Sequence, residues 1–181
     1  FAVYKRQPFL KALEYLLVSN ANLFEMTKLA QASGVTRPTV TKYLDILEVT
    51  NAITVIRPFS KNPEQELVSQ PKVYGFDTGF CCYAQGVRAL GPRDVGDLLE
   101  NLTLETFQAH GLGRDMKFWR TKTKKEIDFV LPLSRENILA IECKWKEGNF
   151  SDDAFAFFRS LYPKGENWVV TSDSRSRIEK N

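Results

Sequence analysis

The sequence predicts an α/β chain in two parts: an N-terminal helical module closed by a β-hairpin, then an αβββαβ core. Three observations predict it. Apolar residues recur at helical spacing on both sides of a Gly34-Val35-Thr36 turn. Two strand-like segments flank a polar loop at Ser60–Gln65. Beyond Pro92, a long amphipathic segment precedes three strand-like runs, a helix and a last strand. The 181 residues, 43% hydrophobic and 26% charged, suit one large domain or two small ones that need no metal or disulfide to fold. The expected division is a module at 1–77, a connector at 78–92 and a core at 93–181.

In the module, residues 8–19 place Phe9, Leu10, Leu13, Leu16 and Leu17 at helical spacing, with Pro8 near the start. Residues 25–33 form a second, short helix. Gly34 suits the left-handed turn after it, and Thr36 is a natural N-cap for the next helix. Pro38 falls in that helix's first turn, where its missing N–H has no intrahelical partner. The third helix is expected over 37–51, with Val40, Leu44 and Leu47 inward. A short helix, a glycine turn and a longer capped helix make a helix-turn-helix pattern. ITVIRPF and ELVSQPKVYGF add a hairpin, so the module reads as a winged helix. In a DNA-binding reading, the start of the third helix enters the major groove, with Arg37, Thr39 and Lys42 toward phosphates or bases. Arg57 and Lys61 in the wing add phosphate contacts. Asp45 and Glu48 would repel a phosphate backbone, so only the N-terminal end can enter. A packing or protein-contact role fits the same residues equally well.

Several chemistries are excluded. The single histidine, His110, leaves no HExxH site and no multi-histidine cage; at a helix end, it reads as a partner of the helix dipole. Cys81, Cys82 and Cys143 form no CxxC pair, so neither a zinc ribbon nor a disulfide scaffold is expected; free thiols suit a reducing cytoplasm. No apolar run approaches the ~20 residues that span a bilayer, so no membrane partner is expected. There is no GxxxxGK[ST] phosphate loop, and Gly111-Leu112-Gly113 lacks a third glycine. The net charge of +3 is too mild to indicate nucleic acid by itself. The chain starts at Phe1, which reads as a piece of a longer protein.

The second half holds the candidate chemistry. A helix at 93–109 carries Glu100 and Glu105. Strands are expected at 116–123, 126–133 and 137–146, then a helix at 151–162 and a strand at 167–171. Asp128 on one strand and the Glu142-x-Lys144 pair on its neighbour can meet at one point. Two carboxylates leave positions on Mg²⁺ for water and phosphate oxygens, and the metal lowers the pKa of its water. Lys144 can orient the attacking water or stabilise a charged transition state. Cys143 points to the core and leaves its carbonyl as a further ligand. A Glu-x-Lys pair alone is usually a surface ion pair; this one ends a strongly apolar strand. The stretch 114–126 carries Arg114, Lys117, Arg120, Lys122, Lys124 and Lys125, which can track a phosphate backbone, with Trp119 packing or stacking nearby. For Lys122, Lys124 and Lys125 singly, a solvated hairpin tip is the plainer reading.

Through TRPTVTKYLDILE, PKVYGFDTGF, GDLLENLTLETF, FWRTKTKKEIDFV and IECKW, in this order from about residue 29 to 146, the chain resembles the C-terminal region of bacterial and archaeal AAA-type ATPases. There an ATPase domain is followed by a winged helix and a restriction-endonuclease-like domain of unknown function. The resemblance implies a PD-(D/E)xK-type core with Glu100, Asp128, Glu142 and Lys144 as the catalytic set. Glu100, Asp128 and Glu142 would hold Mg²⁺; the resemblance, not spacing, prefers Glu100 to Glu105. It matches Arg120 to a basic strand position and gives Asp77, in the FDTG segment, a structural turn role. Ile127 replaces the motif's proline, and the helix at 151–162 offers Arg159 but no Gln or Lys to support the site. The implied partners are DNA and the chain's own ATPase domain, with homo-oligomerisation open and ATP bound only in the absent portion. The expected function is a DNA-binding, nuclease-like domain of such an ATPase; the alternative is an inactive protein-interaction or regulatory domain.

Overall fold

A computed structural model describes residues 3–60, 70–146 and 151–172. It is mixed α/β with two sheets, and it divides into two compact units, Phe1–Arg57 with Ser69–Leu90 and Pro58–Val68 with Gly91–Asn181.

The first unit runs α1 (Val3–Val18), β1 (Asn22–Leu23), α2 (Met26–Ser33), α3 (Arg37–Val49), β2 (Ile53–Ile56), β3 (Lys72–Gly75) and α4 (Thr78–Gln85). α1 begins before the expected residue 8, so Pro8 lies inside it. Pro8 is the sixth residue of the helix, past the first turn whose N–H groups lack partners, so α1 forgoes one i→i−4 hydrogen bond there. Gly34 closes α2 at φ +68°, and the Val35 N–H returns to the Ala30 carbonyl. Thr36 holds the N-cap position of α3, but its hydroxyl meets the Thr39 hydroxyl at 3.1 Å and caps no backbone N–H. The Thr36 carbonyl instead receives the N–H groups of Thr39 and Val40. α3 stops at Val49, short of the expected residue 51, where Asn51 turns left-handed at φ +54°.

The inward residues of α3, Val40, Leu44 and Leu47, are buried with Ala12, Leu16, Phe24, Leu29, Ile53 and Val73. Tyr43 joins them, meeting the Phe9 ring edge-on at 5.1 Å. β2 and β3 pair antiparallel with Val55 opposite Val73, and β1 adds to the far side of β3. The stretch at 78–92, expected as a connector, contains α4. Its cap is Asp77, which accepts the Phe80 N–H at 2.7 Å, the turn role expected of it. Cys81 is fully buried, and Gln85 donates to the Val18 carbonyl on α1.

The second unit runs α5 (Pro92–Ala109), a 3₁₀ turn (Gly113–Asp115), β4 (Lys117–Arg120), β5 (Glu126–Pro132), β6 (Ile138–Lys144), α6 (Asp153–Leu161) and β7 (Asn167–Thr171). This matches the expected αβββαβ order. The sheet order is β4-β5-β6-β7; β4 to β6 are antiparallel and β7 lies parallel to β6. Ile127, Val130, Ile138 and Ala140 form a core with Phe155, Phe158 and Tyr162 of α6 and its end. Trp119 is buried in this core, its ring 5.3 Å from Phe158, so it packs rather than offering a stacking face. Arg159 serves the fold: its guanidinium donates to the carbonyls of Ile138, Tyr162, Lys164 and Glu166 and to Asn167 Oδ1. It therefore secures the turn between α6 and β7 to the start of β6, the end opposite Lys144. No helix among the described residues is long and apolar enough to cross a membrane.

Candidate functional site

The β5–β6 register pairs Phe129 with Ile141. Continued one step, it sets Asp128 opposite Glu142, so both side chains leave the same face of the sheet. Asp128 is 7% exposed and Glu142 9%. Asp128 Oδ2 accepts the Cys143 N–H at 2.8 Å, which fixes that carboxylate against the neighbouring strand. Glu142 Oε1 accepts Lys144 Nζ at 2.5 Å, and Glu142 Oε2 is buried with no hydrogen-bond partner among the described residues. The strand alternation that puts Glu142 and Lys144 on one face turns Cys143 to the other. There its thiol meets the Thr103 hydroxyl of α5 at 3.5 Å.

Burial raises the Glu142 carboxyl to about pH 7, the neighbouring Asp128 charge adds to the rise, and the Lys144 hydrogen bond opposes it. Burial alone would lower Lys144, yet its bond to Glu142 and the charges of Glu142, Asp128 and Glu100 leave it raised and cationic. Glu100 on α5 is thus within electrostatic reach of Lys144. Among the described residues, however, no group of three or more His, Cys, Asp and Glu side chains is arranged to hold a metal ion. The structure brings Asp128, Glu142 and Lys144 together and leaves Glu100 as a flanking charge. Glu105 accepts the Asn101 amide of its own helix at 2.6 Å. Thr103 was not singled out in the sequence. The available signal was a hydroxyl on the inward α5 stripe one turn after Leu99.

The basic candidates are spread over both units. Arg37 and Lys42 are exposed on α3 and Thr39 is half-buried beside them. Arg57 is exposed and its charge acts on Glu48, whose carboxyl is raised by burial. Lys61 lies outside the described residues. Arg120 pairs with Glu126 at 3.0 Å across β4 and β5. Lys122 and Lys124 are exposed on the turn between those strands, Lys124 at φ +66°. The turn is closed by the Lys125 N–H on the Thr121 hydroxyl and the Lys124 N–H on the Thr121 carbonyl.

No curated protein and no solved structure matches the chain. Two family models match in tandem: residues 1–91 fit a domain of unknown function, DUF8612, and residues 95–181 fit a second domain of unknown function, DUF4143. Because the first match spans half of the 181 residues, the chain belongs to the DUF8612 family, with a DUF4143-like region following it.

Proposed function

We propose that this chain is the C-terminal, DNA-binding part of an AAA-type ATPase, and that its second unit is a restriction-endonuclease-like domain with a divalent-cation site for phosphodiester cleavage. The observation that carries the reading is the pair of buried carboxylates, Asp128 and Glu142, opposed on neighbouring strands with Lys144 beside them. A core gains nothing from two opposed carboxylates unless a cation or a proton offsets them. Glu142 Oε2, which has no hydrogen-bond partner among the described residues, fits a metal as the missing partner. Asp128 and Glu142 would hold the ion, with Glu100 as a flanking negative charge. When bound, Mg²⁺ supplies neutralisation of phosphate charge and a more acidic water. Lys144, held cationic by the carboxylates around it, orients the attacking water or meets charge developing on the phosphate. The Cys143 N–H keeps Asp128 in its rotamer as the site changes charge.

In the first unit, helices α1 to α3 and the β1-β3-β2 sheet support a winged-helix reading. The exposed Arg37 and Lys42 at the start of α3 then face DNA, Thr39 beside them, and Arg57, Lys122 and Lys124 add phosphate contacts. Arg120, paired with Glu126, contributes less. The test is calorimetric titration of Mn²⁺ into the wild-type chain and into the Asp128→Ala/Glu142→Ala double variant. Saturable binding lost in the double variant is expected; absence of binding in the wild type overturns the metal site. With binding in hand, Mg²⁺- or Mn²⁺-dependent DNA cleavage is expected to vanish in Lys144→Ala. For the DNA face, Arg37→Glu/Lys42→Glu is expected to weaken binding and reduce the log–log salt slope by about two.

A second reading draws on a different observation. Lys144 already pairs with Glu142, and Glu100 does not complete a three-carboxylate group. A metal-free interaction domain that regulates its own ATPase fits that state. Deleting this region would then change the parent ATPase rate; an unchanged rate counts against it.

A further inference from the structure

The two edge strands of the second unit's sheet are built differently. β4 spans four residues, Lys117–Arg120, with a cation at each end. Its register shifts between Lys117 and Trp119. Pro58 bridges to Phe118 on it, and the Phe59 N–H takes the Phe118 carbonyl. Shortness, charge, a bulge and a covering segment are the devices that keep a sheet edge from pairing with another chain. β7 is five residues long, uncharged, free of proline and regular in register, and no strand lies beyond it among the described residues.

The ladder sets the direction of the β7 main-chain groups. The Ala140 N–H donates to the Glu166 carbonyl at 2.9 Å, and Ala140 stands opposite Asn167. Cys143 has the matching phase, its N–H going to Asp128 on the β5 side. Alternation then turns the main-chain groups of Trp168 and Val170 toward β6 and those of Asn167, Val169 and Thr171 outward. The Trp168 side chain is 47% exposed. A tryptophan half in water at a strand edge is apolar area that gains from being covered.

We propose that β7 pairs antiparallel with β7 of a second copy of this chain, about a two-fold axis through Val169. The strand is its own complement. Val169 meets the second copy's Val169, and Asn167 meets its Thr171. Trp168 falls opposite its Val170, an aromatic–β-branched cross-strand pair. Charge selects this edge. The same pairing of β4 with itself would set Lys117 against Arg120, two cations directly opposed, whereas Glu166 beyond β7 falls opposite the neutral Ser172. The pairing requires neither a metal ion nor DNA, and a two-fold contact closes at two copies.

The experiment is sedimentation equilibrium on the 181-residue chain, without metal or nucleic acid. A monomer–dimer equilibrium is expected, its upper mass near twice 20.7 kDa. A Kd of about 10 μM is the scale for so small a contact. Val169→Pro removes an outward N–H and leaves the inner ladder, which uses the N–H groups of Trp168 and Val170. It is expected to weaken dimerisation about tenfold or more, Trp168→Lys to do the same by setting a charge against Val170, and Trp168→Phe to keep the dimer. Should Val169→Pro fail to fold, Trp168→Lys, at an exposed position, carries the test. A wild type that stays monomeric at about 100 μM overturns the proposal. So does a dimer that Val169→Pro and Trp168→Lys both leave intact, and so do masses that grow beyond two copies. A monomer whose Val169 N–H is nonetheless slow to exchange has its edge covered by its own chain, and overturns it too.

Discussion

At Glu142 two costs meet: the carboxylate is taken out of water and set opposite Asp128. One salt bridge to Lys144 does not offset both, and the group rises from an ordinary 4.5 to about 7. Below pH 4.5 the carboxyl is protonated in the folded and unfolded chains alike, and no penalty applies. Between 4.5 and 7 the folded chain keeps a proton that the unfolded chain has lost, so stability falls as pH rises. Above 7 the loss is complete, of order 3 kcal/mol from a rise of this size. Glu142→Gln stays neutral throughout. It is expected to flatten the stability profile across that window and to gain on wild type at pH 8, measured by urea unfolding at pH 5 and pH 8. Parallel profiles would refute the assignment. The same proton competes with a cation, so Mn²⁺ affinity should rise as pH climbs toward 7.

At the scale of elements, the turn from α6 to β7 decides whether β7 can lie parallel to β6. Gly165 sits in that turn at φ +125°, and a Cβ there would stand 1.9 Å from the Ile138 carbonyl oxygen. On either side, the Lys164 and Glu166 carbonyls take the Arg159 guanidinium. The Ile138 and Ala140 N–H groups return to the same two carbonyls. Backbone thus touches backbone, with no flexible side chain to yield. Gly165→Ala is expected to destabilise the second unit by roughly 3 kcal/mol or more, because strain and the clash add. A lowered melting temperature checks it, and a change below about 0.5 kcal/mol, the scale of an ordinary surface substitution, would contradict the account.

At the scale of the whole molecule, the family boundaries follow the chain while the compact units do not. Pro58 and Phe59 lie inside the first family match yet belong to the second unit. Pro58 bridges to Phe118, the Phe59 N–H bonds to the Phe118 carbonyl, and the Phe59 ring meets Tyr162 at 5.0 Å and Phe158 at 6.3 Å. A fragment cut at the family boundary loses this packing. Phe59→Ala is expected to cost the second unit about 3 kcal/mol while leaving the first unit's stability unchanged. Hydrogen exchange read separately on β5–β6 and on α1–α3 distinguishes the two. Equal loss of protection in both would be contrary to the division.

The sequence by itself determined the element order and most inward faces. Periodicity and turn chemistry are local: Gly34, Pro38 and the stripe Val40, Leu44 and Leu47 act through neighbours a few residues away. It also determined that Glu142 and Lys144 share a face, because strand alternation is fixed by the backbone. Boundaries were less legible where a single residue's conformation ended an element, as Asn51 does after α3. Only the tertiary structure decided what long-range packing sets. The register placed Asp128 against Glu142, and burial turned that pair into a carboxyl near pH 7. Trp119 went to the core, Arg159 to four carbonyls, and Thr103 to the Cys143 thiol. Each outcome joins residues of different elements or turns, and no local pattern encodes the desolvation and pairing that only the closed sheet supplies.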